Sequence, residues 1–195
     1  MKSIEELKSH MTPGQCYRRE NLRKYSKAID RHLMYLQKDG TLKKISGGIY
    51  YYPKRTVFGE KPPEDADLVR AFLKDNRFLI TSFNAYNALG LGTTQLYNET
   101  LVYNHKRHGF FRISSKLFHF IRKPFFPLTL SSEYLLVDLM DNLDKLPENK
   151  EGILALIKEK VLSMDRCRLQ KAIKEYGSVR TQKFFHALLK TLEAS

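Results

Sequence analysis

Residues 26–55 read SKAIDRHLMYLQKDGTLKKISGGIYYYPKR, and the spacing of apolar and charged positions in this stretch decides the fold of the N-terminal part of the chain. On a 3.6-residue wheel Tyr25, Ile29, Leu33 and Leu36 form one apolar stripe, while Lys27, Arg31, Met34 and Lys38 fall on the opposite side. This spacing predicts a helix over about residues 27–39. Ser26 is the expected acceptor for the free N–H groups of its first turn, and Gly40 the residue whose left-handed conformation closes its last. Two short β-prone runs follow, 41–46 and 49–52. The pair Gly47-Gly48 between them offers the positive φ angles of a two-residue hairpin turn. Pro53 has no N–H for a ladder and ends the second strand. Lys43, Lys44, Lys54 and Arg55 flank the hairpin, so a basic ribbon is expected beside a basic helix face. Most charge runs are ordinary solvated surface. Here a capped amphipathic helix, a Gly-Gly hairpin and one-sided cations coincide, which is the pattern of a winged helix-turn-helix facing nucleic acid.

Toward the N-terminus the same pattern continues. Residues 3–11 read as a helix, with Ser3 and Glu6 as a capping box and Ile4, Leu7 and Met11 on one face. Thr12-Pro13-Gly14 is a turn, Cys16-Tyr17 a minimal strand, and 19–25 a short second helix. Arg23 and Lys24, with Arg18 and Arg19, then stand where a second helix meets the DNA backbone. The expected DNA-binding set is Arg23, Lys24, Lys27, Arg31, Met34, Lys38, Lys43, Lys44, Lys54 and Arg55. Of these, Lys27, Arg31 and Met34 face base edges, and Lys43, Lys44, Lys54 and Arg55 face phosphate or the minor groove.

Toward the C-terminus, residues 56–63 (TVFGEKPP) read as a linker between domains 1–57 and 64–195. Helical spacing returns over 65–74, a buried strand is expected over 77–81, and Ser82 is placed to cap a helix that stops at Gly90. β-Formers over 100–104, 110–113 and 116–122 predict a small antiparallel sheet. An apolar helix capped by Ser131 or Ser132 should cover 132–142, with further helices over 148–162, 165–176 and 178–192. The expected class is therefore α+β: an N-terminal winged helix-turn-helix, then an α+β domain with a small antiparallel sheet and a C-terminal helical bundle.

The chain has 195 residues, enough to bury a core without disulfides or metals. Its formal net charge of +13 favours phosphate-rich or otherwise acidic partners. The excess is concentrated in residues 1–60 and again in 100–132, where no acid occurs. In the second block Lys106, Arg107, Arg112, Lys116, Arg122 and Lys123 alternate with Phe110, Phe111, Phe118, Phe120, Phe125 and Phe126. This could be a second basic surface that stacks bases, although alternating Phe is more often the core side of a sheet. Cys16 and Cys167 are isolated, as expected of reduced thiols in the cytoplasm. The N-terminal residues lack a signal-peptide core, and no apolar run approaches the ~20 residues that span a bilayer, so a soluble cytoplasmic protein is expected.

Catalytic motifs are sparse. There is no glycine-rich phosphate loop, nucleophile elbow or His/Cys ligand spacing. Asp138 and Asp141 share a helix face and could hold a nuclease metal, but acids on a helix rim are usually solvated. The six histidines, His32, His105, His108, His119 and His186 among them, show no partners in the sequence. The expectation is no enzyme, no cofactor and no metal.

Three segments carry a resemblance: KKISGGIYYYPK (43–54), ITSFNAYNALGLGTTQ (80–95) and SSEYLLVDLMDNL (131–143). They resemble the wing signature, the alanine-rich helix leading into Gly-Leu, and the Glu-x-Ala-Leu-x-Asp helix of AbiEi-type antitoxins of type IV toxin-antitoxin systems. Leu135 and Ser132 depart from that pattern, standing where the family often has Ala and Pro. The resemblance spans most of residues 1–145. It implies an autorepressor that binds double-stranded promoter DNA through its winged helix, and a C-terminal domain that neutralises a cognate nucleotidyltransferase-type toxin. The alternative is a winged-helix regulator whose C-terminal domain binds another protein, RNA or a small effector.

Overall fold

The computed structural model describes residues 2–91, 93 and 96–193; at Lys2 and Ser3 it describes the backbone alone, so the Ser3–Glu6 capping box lies outside the described residues. The protein is mixed α+β, with small antiparallel sheets and C-terminal helices. Its compact units are Met1–Phe78 with Lys106–Phe118, and Leu79–His105 with His119–Ser195, a division that does not fall at residues 58–63.

In the first unit the order is α1 (Lys2–Ser9), β1 (Cys16–Arg18), α2 (Arg19–Leu22) continued by a 3-10 turn Arg23–Tyr25, α3 (Ile29–Lys38), β2 (Lys43–Ser46) and β3 (Ile49–Tyr51). The sheet order is β1-β3-β2, with both pairings antiparallel. The apolar stripe of α3 packs as its spacing requires: Ile29, Leu33 and Leu36 join Leu7, Met11, Leu22, Leu42 and Tyr50 in one buried cluster.

The start of α3 differs from expectation. Ser26 does not cap it; its hydroxyl accepts from the N–H of Ala28 at 3.2 Å and meets Nδ1 of His32 at 2.8 Å, both side chains being buried. A hydroxyl used in a local turn cannot also serve the helix, which begins two residues later than the wheel placed it. Lys27 therefore stands in the turn ahead of α3. At the other end Gly40 has φ +77°, and the N–H of Leu42 reaches the carbonyl of Leu36 at 2.7 Å. A Cβ at Gly40 would meet nothing within 4 Å, so Gly40→Ala carries only the left-handed backbone strain. We expect it to lower unfolding free energy by about 1 kcal/mol, read as a reduced urea midpoint at unchanged slope.

In the hairpin only Gly48 takes a positive φ, +72°. The register slips between Lys44 and Ser46, and Ile45 is the extra residue, a bulge that adds local twist. The N–H of Arg19 bonds to the Gly48 carbonyl at 2.8 Å, tying the turn to the start of α2.

Residues 56–63 are not a linker. β4 (Lys54–Thr56) and β5 (Gly59–Lys61) form a second antiparallel hairpin, closed where the Thr56 hydroxyl donates to the Gly59 carbonyl at 2.8 Å and accepts from the N–H of Phe58 at 3.3 Å. The Gly59 that suggested a linker instead closes a turn, at φ +105°, and Pro62 and Pro63 follow the end of β5. α4 (Asp65–Leu73) follows. The Arg18 guanidinium donates to the Ala71 carbonyl at 2.6 Å, and Lys74 pairs with Glu20 at 2.6 Å. β8 (Gly109–Ile113) and the first residues of β9 (Lys116–Arg122) complete this unit, with Phe111 against Phe72 and Lys116 bonded to Asp65.

The second unit contains β6 (Phe78–Thr81, from Leu79), β7 (Thr100–Asn104) and the rest of β9, within a sheet of order β6-β7-β9-β8. It also holds α5 (Ser132–Asn142), α6 (Lys150–Leu162), α7 (Arg166–Tyr176) and α8 (Val179–Glu193). Phe83–Leu89 is a 3-10 helix that Ser82 does not cap; Gly90 ends it in the left-handed conformation. Ser131 caps α5 by accepting from the Tyr134 N–H, and Asn149 and Asp165 cap α6 and α7. Among the described residues, no helix is long and apolar enough to cross a membrane.

Candidate nucleic-acid interface

On α3, Arg31, Met34, Tyr35 and Lys38 span an arc of about 100° at 3.6 residues per turn, opposite the buried stripe. All four are exposed, Met34 at 51% and Tyr35 at 54%. Tyr35 was in no expected set, although the wheel places it one turn from Arg31. Arg23, Lys24 and Lys27 are exposed before the helix, and Lys43, Lys44, Lys54 and Arg55 are exposed after it.

What neutralises these charges decides what they can bind. Among the described residues no carboxylate lies within ion-pair distance of Arg23, Lys24, Lys27, Arg31, Lys38, Lys44, Lys54 or Arg55. Lys24 instead lies over the ring of Tyr25, 4.7 Å from its centroid. Lys43 is the exception in the expected set, since it is ion-paired with Glu60 of β5. The acid on the first turn of α3 is likewise occupied: Arg19 forks onto Asp30 with two 2.5 Å bonds. That fork holds the Asp30 carboxyl below its ordinary range and the guanidinium above its own, and links α2 to α3. The face thus carries unneutralised positive charge, with its nearest acid already bonded.

The cations of the second basic block are divided between the two units, and several are already engaged. Lys106 donates to the carbonyls of Leu73 and Lys74 and pairs with Asp75 at 3.0 Å, and Lys116 pairs with Asp65 at 2.5 Å. Arg107 lies over Phe72, 5.9 Å from its centroid. These and Arg112 belong to the first unit, while Arg122 and Lys123 belong to the second. Phe118, Phe120 and Phe126 are buried, as expected of the core side of a sheet; Phe110 and Phe125 are exposed.

In the second unit the notable group is Asp138, 1% exposed in the middle of α5 rather than solvated on a helix rim. One of its oxygens accepts from the hydroxyls of Tyr86 at 2.7 Å and Tyr103 at 2.9 Å. The other meets Nζ of Lys123 at 2.7 Å and the hydroxyl of Tyr134 at 3.4 Å. Asn142 donates to both Tyr86 and Tyr103. Lys123 also lies over the Tyr103 ring, 4.9 Å from its centroid. Burial, followed by the Asp138 charge, holds the Tyr86, Tyr103 and Tyr134 hydroxyls well above the ordinary tyrosine range. The neighbouring Asp141 accepts from the Thr181 hydroxyl at 2.5 Å and the Ser178 N–H at 3.1 Å, joining α5 to the start of α8. With both oxygens bonded, Asp138 is an organising centre for the core.

No sequence signal singled out the three tyrosines, but one was available. SEYLLVDLMDN is apolar nearly all round its helix, so Asp138 had no solvent face and had to find donors inside. The histidines also have company: His32 bonds to Ser26, His119 lies 3.1 Å from Glu99, and His105 packs on Phe126. The sequence matches no family model, and comparison with curated proteins and with solved structures returns no match.

Proposed function

We propose that the first unit is a winged helix-turn-helix that binds promoter DNA, with α3 in the major groove and the β2–β3 hairpin as its wing. The chain then acts in the cytoplasm as a transcriptional autorepressor and as the antitoxin partner of a nucleotidyltransferase-type toxin. The order helix, strand, helix, helix, hairpin supports this, as does the strand order β1-β3-β2. The observation that carries it is the set of unneutralised cations running from Arg23 through α3 to Arg55. Cations that face phosphate must not already be held by carboxylates, and this stretch gathers eight that no carboxylate pairs among the described residues. The toxin-neutralising half has its support in the resemblance of segments 80–95 and 131–143; Gly92, Thr94 and Gln95 of the former lie outside the described residues.

The test is the salt dependence of promoter binding. If about four phosphates are neutralised, log affinity falls against log salt with a slope of roughly −3.6. Lys44→Ala should remove close to one unit of that slope and weaken all duplexes alike. Lys43→Ala should change it much less, because Lys43 is already held by Glu60. Equal losses at the two positions, or a slope near zero, overturn the assignment. For the second half, the full chain carrying Lys27→Glu and Arg31→Glu is co-expressed with the product of the adjacent reading frame. Rescue from toxicity without repression separates neutralisation from DNA binding; no rescue by either form removes the antitoxin role.

A further inference from the structure

The β4–β5 hairpin ends in the most exposed apolar pair of the first unit, Val57 at 93% and Phe58 at 98%. The exposed aromatic residues are Tyr35, Phe58, Phe110 and Phe125, and Phe58 is the most exposed of them. The tip is built rather than loose. Thr56 bonds across it in both directions, and Gly59 supplies the left-handed residue. Its base is fastened to the wing, because the Tyr51 hydroxyl donates to the Lys61 carbonyl at 2.6 Å and Glu60 is ion-paired with Lys43 of β2. A pre-shaped apolar point loses little conformational entropy when it meets a surface.

Its surroundings indicate which surface. Among the described residues Lys54 and Arg55 lead into the tip with no carboxylate within ion-pair distance, Arg55 standing opposite Glu60 in the register, and Lys44 lies on the strand to which the hairpin is tied. The acids nearby are engaged: Glu60 by Lys43, Glu64 by Lys61 at 2.8 Å, and Asp39, at the end of α3, by the Thr41 N–H at 2.9 Å and by Lys8. An apolar point with Lys54 and Arg55 leading into it is complementary to a polyanion that has an apolar interior, which is what stacked bases between phosphate strands provide. At a rise of ~3.3 Å per residue, the hairpin arm from Lys54 to Val57 is about 10 Å long. That is comparable with the ~7.5 Å depth of the minor groove, whose ~6 Å width admits a two-residue tip but not a whole ribbon.

Building on the DNA-binding reading above, we propose that Val57 and Phe58 form an apolar wedge that enters the minor groove beside the major-groove site of α3. Phe58 stacks against an opened base step while Lys54 and Arg55 hold the flanking phosphates. The wedge contributes affinity independently of α3 and adds no charge contact of its own.

Because the chain contains no tryptophan, Phe58→Trp supplies a single fluorescent reporter at the tip. The full-length protein is titrated with duplexes tiling the DNA upstream of its own coding sequence, and in parallel with vesicles containing anionic lipid. Stacking predicts that tryptophan emission is quenched about twofold at duplex saturation and is unaffected by vesicles. Phe58→Ala should bind about tenfold more weakly with an unchanged salt slope, a fully exposed substitution that leaves the circular dichroism spectrum as it was. If the wild-type chain binds the duplexes but the tip tryptophan keeps its solvent-exposed emission, or Phe58→Ala binds as tightly as wild type, the wedge is refuted and the DNA-binding reading stands. If the wild-type chain binds none of the duplexes, both fall. Emission that responds to vesicles and not to duplex assigns the tip to a membrane surface and refutes the wedge.

Discussion

Asp138→Ala should destabilise the second unit by about 3–5 kcal/mol, the range measured when one partner of a buried ion pair is removed. The substitution leaves the part-buried Lys123 ammonium without its closest carboxylate and the buried hydroxyls of Tyr86 and Tyr103 without their acceptor. The lost methylene packing is small beside the cost of those stranded groups. Thermal unfolding followed by tyrosine absorbance should move down by more than about 10 °C. Lys123→Met is a sharper probe. It removes the ammonium, keeps the length of the side chain, and leaves Asp138 with three hydroxyl donors. The pair of Asp138→Asn with Lys123→Met should cost less than the sum of the single changes, and strict additivity would mean that the two side chains do not interact. The tyrosines give a second reading. A hydroxyl whose folded-state value is raised keeps its proton when the unfolded chain has lost it, so its stabilising contribution is complete below the ordinary tyrosine value near 10 and declines as pH rises above it. With Tyr86, Tyr103 and Tyr134 all raised, stability should fall by up to about 4 kcal/mol per pH unit above pH 10. A flat alkaline profile would show that the three hydroxyls titrate as if in water.

The contrast between the two units explains what could be read from the sequence. α3, its terminating glycine and the β2–β3 hairpin were legible because each is set by a local signal: an apolar stripe, a residue free to take positive φ, and a break in the ladder at Pro53. The helix start was misplaced because Ser26 had two possible uses. The choice of its hydroxyl for Ala28 and His32 depends on tertiary burial that a wheel does not contain. Residues 56–63 resemble a linker in the sequence for a similar reason. Gly and Pro mark turns without saying whether strands pair on either side, and here the pairing is secured from outside by Tyr51 and Lys43. Charge was the least legible quantity. Lys43 and Lys44 are adjacent and identical in the sequence, yet one is bound to Glu60 and the other has no carboxylate within ion-pair distance among the described residues. Lys106, Lys116 and Lys123 looked like one basic surface, and each is ion-paired where it folds. Ion pairs join residues far apart in the chain, so net charge per segment overstates what a partner meets.

Reversing charge at Lys27 and Arg31 together should abolish promoter recognition. A well-placed side chain on a base edge is worth roughly 1–3 kcal/mol of discrimination, so losing that contact at Arg31 and a phosphate contact at Lys27, each replaced by a repelling carboxylate, should weaken the specific complex by about 10³-fold. Non-specific duplex should lose less, because Lys44, Lys54 and Arg55 remain. The two positions should not contribute equally. Arg31 lies inside α3 on the arc with Met34, Tyr35 and Lys38, at an angle held by the buried stripe behind it. Lys27 sits in the turn before the helix, where its charge opposes the positive end of the helix dipole unless a phosphate is present. Arg31→Glu should therefore erase sequence preference, whereas Lys27→Glu should lower affinity for every duplex and flatten the salt slope by about one unit. Arg31→Lys separates charge from shape. It keeps the cation and removes the planar fork, so a loss of preference with a preserved salt slope identifies a bidentate base contact. If the double reversal binds the promoter as the wild type does, α3 does not present its outer face to DNA, and the cations around it serve solubility alone.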